Sequence, residues 1–456
     1  MGGMKWKVVA VGLAVLLAAL AGCGSSGNTS TSSSQSTGTS SNTEQTATES
    51  TSTAKEFEGV TLTLLMDNDS SRDGLTAVAK LIEEKTGIKT EIELRPGGSE
   101  GDNVVKTRLA TGDMADLVWY NSGSLLQALN PEENFVDLSD QPFMANVADS
   151  FKSAVTVNGK VFGIPTGSAT AGAWLYNKKV YEELGLSVPH TWEELMENCE
   201  KIKAAGIVPV IGSYQTDWTA QLLLLADFYN VLQEVPTFAE DFTANKAKFA
   251  TTPAALRGFE KLAEVYERGF LNSDFLATDY DTALKMLVEG QGAHYPILTF
   301  ALENIQAKYP DKINDIGLFG QPGDSADNHG LTLWMPGGIY LNKKTQHLDA
   351  ALKWMEIYVS PEGINAYIAA STVMGPFAVQ GIQLPDDIIP AVKDMVDYMN
   401  AGKTAPALEF LSPLKGPNLP QICVEVGSGM KTPLEGAEAY DRDVEKQAQQ
   451  LALPGW

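Results

Sequence analysis

The chain has 456 residues, 57 of them acidic against 33 Lys and Arg, for a formal charge of −24. That balance argues against a nucleic-acid partner and against an anionic ligand drawn in by the overall field. With only three cysteines, a disulfide scaffold is excluded as well.

The start reads as an address. Lys5 and Lys7 precede an apolar run over 8–21 that is short for a membrane span and closes at Leu20-Ala21-Gly22-Cys23, the plan of a signal peptide over 1–22. The next thirty or so residues are mostly Ser, Thr, Gly, Asn and Gln, too polar to offset their own ordering entropy, so 23–56 reads as a disordered tether. From Phe57 the composition is that of a folded chain without a second membrane-spanning run. Its ~400 residues exceed one hydrophobic core and predict two lobes.

A buried strand over 60–66 ends in the polar cluster Asp67-Asn68-Asp69. A helix over 74–86 carries Leu75, Val78, Ala79 and Ile82 on one face and stops at Gly87. A strand over 88–94, a helix over 102–112, a strand over 117–120 and a helix over 122–129 follow. Such alternation implies parallel sheets with crossover helices, whose ligands lie outside the carboxyl ends of the strands. Asp67-Asn68-Asp69 and Trp119-Tyr120-Asn121-Ser122 are the first two candidate rims on that ground.

Asn158-Gly159 between short β-branched runs predicts a tight hairpin, ended by Pro165. Residues 166–172 are small and let the backbone bend and approach a ligand; a strand through Trp174 to Asn177 and a helix closed by Leu184-Gly185 come next. Thr191 and Glu194 have capping-box spacing at the start of a helix to 205. A strand over 207–212 delivers Ser213 to Trp218, and helices are expected over 219–229, 253–267 and 279–290. A strand reaching Phe300 feeds a helix over 301–308. Strands at 316–319 and 331–341, the latter broken by Pro336-Gly337-Gly338, precede helices over 348–359 and 361–370, a crossing at Met374-Gly375-Pro376-Phe377 and a last helix over 432–451.

The order of hairpin, Pro165, small-residue run, Tyr176-Asn177-Lys178 strand end and Leu184-Gly185 helix end is one part of a wider likeness. With Ala-Thr-Gly-Asp-Met-Ala-Asp-Leu-Val over 110–118 and Lys431-Thr432-Pro433-Leu434-Glu435-Gly436-Ala437, it resembles family 1 of the bacterial extracellular solute-binding proteins, which serve sugar importers of the ABC type, over 57–451. Where Ala115 stands, that family more often has Pro. Leu20 to Cys23 resembles a lipobox, which implies that Cys23 becomes the lipidated first residue of a protein held outside the cytoplasm. The resemblance implies an α/β, two-lobed periplasmic-binding-protein-like fold of type II, each lobe a mainly parallel sheet flanked by helices. Lobe 1 would be 57–166 and 333–376, and lobe 2 would be 167–332 and 377–456, with a hinge at the crossings and the ligand in the cleft. It further implies a monomer with a carbohydrate ligand and the permease subunits of an ABC importer as partner.

No Gly-x-Ser-x-Gly elbow, Walker loop, His-Glu-x-x-His or dinucleotide glycine pattern occurs. His190, His294, His329 and His347 have no ligand spacing and read as surface or loop histidines, so neither metal nor cofactor is expected. Cys199 and Cys423 sit in helical, apolar surroundings that suit unpaired core thiols, with their pairing left open. The aromatics say more: Trp119, Trp174, Trp218 and Trp334 lie at strand ends or beside Gly and Pro breaks, whereas Trp192 and Trp354 lie within helices. Flat aromatic surface covers the C–H faces of a sugar, and Asp, Asn, Ser and Gln satisfy its hydroxyls. The candidate ligand residues are Asp67, Asn68, Trp119, Asn121, Ser168, Trp174, Asp217, Trp218, Phe300, Trp334 and Gly338, with Trp174 turned to core if strand alternation points it inward. Trp218 and Trp334 are expected to face the cleft from opposite lobes.

Three functions stay open at this point: a tethered receptor for a sugar or short oligosaccharide, the same fold holding a polyol or glycerol-phosphate ester, and a lipid-anchored glycoside-processing enzyme. A phosphate would call for several arginines, and of the six present only Arg72 lies near an expected rim. If Cys23 is the anchor, Cys23→Ala is expected to move the protein from the membrane fraction to the medium or soluble fraction, with ligand affinity unchanged.

Overall fold

A computed structural model describes residues 55–382 and 388–456; the expected signal peptide, Cys23 and the tether up to residue 54 lie outside them. Its strands are β1 (Thr61–Asp67), β2 (Lys89–Arg95), β3 (Leu117–Tyr120), β4 (Thr156–Val157), β5 (Lys160–Val161), β6 (Gly163–Pro165) and β7 (Thr170–Asn177). They continue with β8 (Val208–Val210), β9 (Gly292–Leu298), β10 (Ile316–Phe319), β11 (Gln321–Pro322), β12 (His329–Trp334), β13 (Gly338–Leu341) and β14 (Thr404–Pro406).

The strands β1, β2, β3, β6 and β13 make one sheet in the order β2-β1-β3-β13-β6. A second sheet runs β11-β12-β7-β9-β8, with β10 beside β7 and β14 beside β12. This is the expected two-lobed α/β architecture, but the sheets are mixed where strand-helix alternation predicts mainly parallel ones. β1 is parallel to β2 and β3, whereas β13 runs antiparallel to β3 and β6. In the second sheet β7 is antiparallel to β9, β10 and β12.

Each sheet has its own core. Leu62, Leu64, Val78, Ile82, Val118, Ile164, Ile339 and Trp354 pack together in the first lobe. The second sheet is covered on both faces, with Ala171, Ala173, Leu175, Tyr295 and Ile297 on one side and Trp174, Trp192, Cys199, Phe319 and Tyr440 on the other. β7 supplies both faces by simple alternation.

Local chemistry sets most element ends. Asn158 and Gly159 have φ of 51° and 78°, the left-handed pair that a two-residue hairpin between β4 and β5 requires. Thr191 with Glu194 and Thr432 with Glu435 close reciprocal capping boxes. The helix expected over 219–229 is instead a 3-10 turn, Asp217–Gln221, followed by short helices Leu222–Ala226 and Phe228–Glu234. At the second break Asp227 is held by Lys261 at 2.6 Å, a pair almost wholly removed from water.

Three chain crossings between the lobes lie side by side. Thr166 N donates to Gly337 O and Ala169 N to Pro376 O, both at 2.9 Å. Ser168 bridges to Phe377, and Trp334 pairs with Thr170. The positions differ by a few residues from expectation: Leu333 and Trp334 still belong to the second sheet, and Phe377, Ala378 and Val379 pack in the first-lobe core.

Cys199 and Cys423 are buried and unpaired. His294, expected in a loop or at the surface, is a fully buried residue of β9. Its Nδ1 donates to Pro209 O at 2.8 Å and its Nε2 accepts from the Tyr181 hydroxyl at 2.6 Å, which leaves the ring neutral. Burial pulls its pKa from 6.5 down to about 4. The unfolded chain therefore binds more protons between those values, so this contribution is complete above pH 6.5 and is lost as pH falls towards 4. The loss amounts to about 3 kcal/mol. The stability advantage of the native chain over His294→Gln, measured by urea unfolding at pH 7 and pH 4.5, is expected to shrink accordingly.

Candidate ligand-binding cleft

The loops after the first-lobe strands face the second sheet across a cleft of about 270 Å³. From the first lobe come Asp67 to Ser71 except Asn68 after β1, Arg95 and Gly97 to Ser99 with Asp102 after β2, and Trp119 to Asn121 at the end of β3. This is the carboxyl-end position expected of an α/β sheet. The crossings contribute Thr166 to Ser168 and Met335 to Gly337, and the second lobe contributes Trp218, Gln221, Phe300, Glu303, Trp334, Glu409 and Lys415.

Of the residues expected from the sequence, Asp67, Trp119, Asn121, Ser168, Trp218, Phe300 and Trp334 line this cleft. Four do not. Trp174 is fully buried, stacked against Phe319 with its Nε1 donating to Gln321 Oε1 at 2.6 Å. Strand alternation turns it into the core because β7 is covered on both faces. Asn68 points to solvent beyond the cleft wall. Gly338 is a buried residue of β13, paired through its backbone to Tyr120 and Pro165. Asp217 lies at the seam beside the cleft, where a Cβ on Gly98 would come within 2.4 Å of its Oδ1. Gly98 has φ of 61°, so the close approach and the left-handed backbone both require glycine there.

Trp218 and Trp334 are on the same wall. Trp334 ends β12 of the second sheet, and Trp218 sits in the 3-10 turn packed on that sheet's core. Trp218 forms an aromatic cluster with Phe300 and Tyr280, at centroid distances of 5.7 and 5.5 Å. The aromatics of the opposite wall are Trp119, Tyr120 and Tyr367.

The walls touch at Asp69. Trp218 Nε1 donates to Asp69 Oδ2, and Asn304 Nδ2 donates to Asp69 O, both at 2.9 Å. Burial, with the neighbouring Asp67 adding to it, raises the Asp69 pKa against the opposing bond from Trp218. Asp67 itself is a turn former as well as a wall residue: its Oδ1 accepts from Asp69 N and Ser70 N. Tyr120 donates to Asp102 Oδ1 at 2.8 Å, and the Arg95 guanidinium lies 5.4 Å from the Tyr120 ring centre. Glu409 and Lys415, both nearly buried, pair at 2.6 Å where the cleft runs past Trp334.

Arg95, Gln221, Glu303, Glu409 and Lys415 were not among the expected residues, whereas Arg72 is exposed and off the cleft wall. The strand-end argument that selected Asp67 applies equally to Arg95, the last residue of β2. No comparable pattern marks the others.

Residues 68–365 match the family model of the bacterial extracellular solute-binding proteins. The chain belongs to this family. It is accordingly a binding protein and not an enzyme, which removes the glycoside-processing alternative. A multiple sugar-binding protein of Streptococcus mutans serotype c (strain ATCC 700610 / UA159) is 24% identical over 294 residues, 62% of this chain and 67% of that one. Among solved structures, a chitin oligosaccharide binding protein superposes with a TM-score of 0.73 at 22% identity, over 85% of this chain and 98% of that one. The protein RafE in complex with raffinose gives 0.68 at 21% identity, over 85% and 100%. These likenesses show the fold of the solute-binding family.

The two tryptophans separate by stability. Trp174→Ala removes a fully buried ring and strands Gln321 Oε1, so unfolding free energy is expected to fall by about 3–5 kcal/mol. Trp218→Ala, at a half-buried wall position, is expected to cost far less. Urea unfolding of both variants without ligand checks the order.

Proposed function

We propose that this solute-binding protein is a membrane-anchored, extracytoplasmic receptor that captures a sugar or short oligosaccharide in the interlobe cleft and delivers it to an ABC importer. The observation that carries the reading is the composition of the cleft wall. Trp218, Phe300 and Trp334 offer flat apolar surface, and Asp67, Asn121, Ser168 and Gln221 stand beside them as hydrogen-bonding groups. That combination matches a sugar's apolar faces and ring of hydroxyls. The similarity to the streptococcal multiple sugar-binding protein, to the chitin oligosaccharide binding protein and to RafE in its raffinose complex supports it.

In this reading lobe 1 and lobe 2 turn about the three adjacent crossings and close on the ligand, as hinge-closing binding proteins do. Cys23 holds the receptor at the membrane, and the permease takes the ligand from the closed form. Arg95 on the wall is the one observation that favours a glycerol-phosphate ester. Asp67, Asp69, Asp102 and Glu303 on the same walls weigh against it, because they would meet the phosphate without compensating charge.

A thermal-shift screen of mono-, di- and oligosaccharides, polyols and glycerol phosphates tests the assignment. At a hundredfold excess over its dissociation constant, a true ligand adds about 2.7 kcal/mol of stability. A neutral oligosaccharide is expected to raise the melting temperature by several degrees. A shift with glycerol phosphates alone, or with none of the panel, would overturn the sugar reading.

A further inference from the structure

Buried polar atoms normally find partners, and leaving one unpaired costs stability. Among the described residues, three with such an orphaned side-chain atom stand on the cleft wall: Arg95 through Nε, Gln221 through Oε1 and Glu303 through Oε1. They come from both lobes. Arg95 ends β2 of the first sheet, Gln221 ends the 3-10 turn of Trp218, and Glu303 lies in the first turn of helix Ala301–Lys308.

Arg95 is 6% exposed and makes no ion pair among the described residues; its Nη1 donates to Pro96 O at 3.0 Å. A buried guanidinium in that state lacks the acceptors its fork geometry is built for. The Glu303 carboxyl bonds with the Ser71 side chain, which leaves Oε1 as its orphaned atom, and Asp73, Tyr358 and Tyr367 lie near enough to act on it electrostatically. Asp227 and Asn230 also have orphaned atoms, but their remaining atoms are tied into a bonded network with Lys261 and Gln321. That network explains them without a ligand.

We propose that Arg95, Gln221 and Glu303 form the polar recognition set of the cleft, and that together they select an uncharged, hydroxyl-bearing ring over an acidic or an amino sugar. This rests on the sugar reading above. A hydroxyl both accepts and donates, so one ring can accept from Arg95 and donate to Gln221 and Glu303. A uronate or phosphate would satisfy Arg95 and set like charge against Glu303. An ammonium would satisfy the two acceptors and face Arg95.

Burial, with Asp73 adding to it and Ser71 opposing, pushes the Glu303 pKa up to about 7. A hydroxyl donating to Glu303 favours the ionised carboxylate, so affinity is expected to rise with pH between 6 and 8.

Titration calorimetry with raffinose, chitin oligosaccharides, chitosan oligosaccharides and oligogalacturonate decides the matter. The native chain is expected to bind a neutral member at least tenfold tighter than the acidic and amino ones. Arg95→Met, Gln221→Met and Glu303→Met are each expected to weaken that binding at least tenfold, with an unliganded melting temperature equal to the native value or higher, because an unpaired buried atom is gone. Glu303→Gln keeps an acceptor, so it should recover part of the affinity while losing the pH dependence. Failure of the native chain to bind any of these probes overturns the sugar reading and this inference together. Normal binding by folded Met variants, an affinity independent of pH or falling with it, or equal binding of a charged member overturns the inference alone. Should Arg95→Met not fold, the Gln221 and Glu303 variants carry the same decision.

Discussion

Everything in this molecule that concerns a ligand depends on three strands of chain passing between the lobes at one place. Residues 166–170, 334–338 and 374–377 are joined edge to edge by the bonds from Thr166 to Gly337 and from Ala169 to Pro376. Each lobe has a separate core, and the ribbon ties the two together beside the wall contacts of Trp218 and Asn304 with Asp69. The same ribbon supplies cleft-wall residues, among them Ser168, Trp334 and Gly337. Tyr358 donates to Thr166 O at 2.8 Å and Ser122 to Pro336 O at 2.8 Å, so first-lobe side chains grip the ribbon from its own side. A hinge built this way couples any rotation of the lobes directly to the shape of the site.

The division of labour between the walls follows from how each is made. First-lobe wall residues end short strands of a sheet whose carboxyl edge faces the cleft, which brings polar turn residues such as Asp67 and Asp69 there. The second lobe offers a side view instead: β12 reaches the cleft end-on at Trp334, and the broken segment Asp217–Gln221 lays Trp218 against Phe300. Had 219–229 formed one continuous helix, Trp218 would have stood ahead of its first turn, without the turn that lays it on the wall. Aromatic rings therefore stand on both walls, Trp119, Tyr120 and Tyr367 on one and Trp218, Phe300 and Trp334 on the other, an arrangement suited to covering the apolar faces of a ligand while polar residues meet its hydroxyls.

Most of the elements were legible in the sequence because their ends are set locally. The Asn158-Gly159 turn, the Thr191–Glu194 capping box and the Gly87 stop each act over a few residues, and each stands where the pattern places it. The site was legible in part. Trp119, Trp218 and Trp334 follow from position at strand ends, but the same rule selects Trp174 wrongly, since it cannot say that β7 has a second sheet face covered by Phe319 and Trp192. It also cannot tell that Trp334 belongs to the second sheet, because the Pro336-Gly337-Gly338 break marks a crossing without showing on which side Trp334 pairs. Arg95 was within reach of the rule. Glu409 and Lys415 were not, as they come from the irregular C-terminal third, where no periodicity assigns a side chain to a face.

In the proposed mechanism the bonds that close the cleft must be weak enough for the ligand to decide the outcome. The direct side-chain bonds from the second lobe onto Asp69 are those of Trp218 and Asn304, and each exchanges for water on opening, so the bond to the backbone carbonyl contributes about 0.5–1.5 kcal/mol net and the bond to the carboxylate about 1.5–3 kcal/mol. The raised pKa of Asp69 shows that burying this carboxylate carries its own cost. Micromolar binding releases about 8 kcal/mol, well above what these two bonds hold. A ligand that contacts both walls binds the closed form better than the open one, and that difference alone can shift the population. The acidic, loosely latched first-lobe rim thus acts against spontaneous closure, so that closure reports a ligand present.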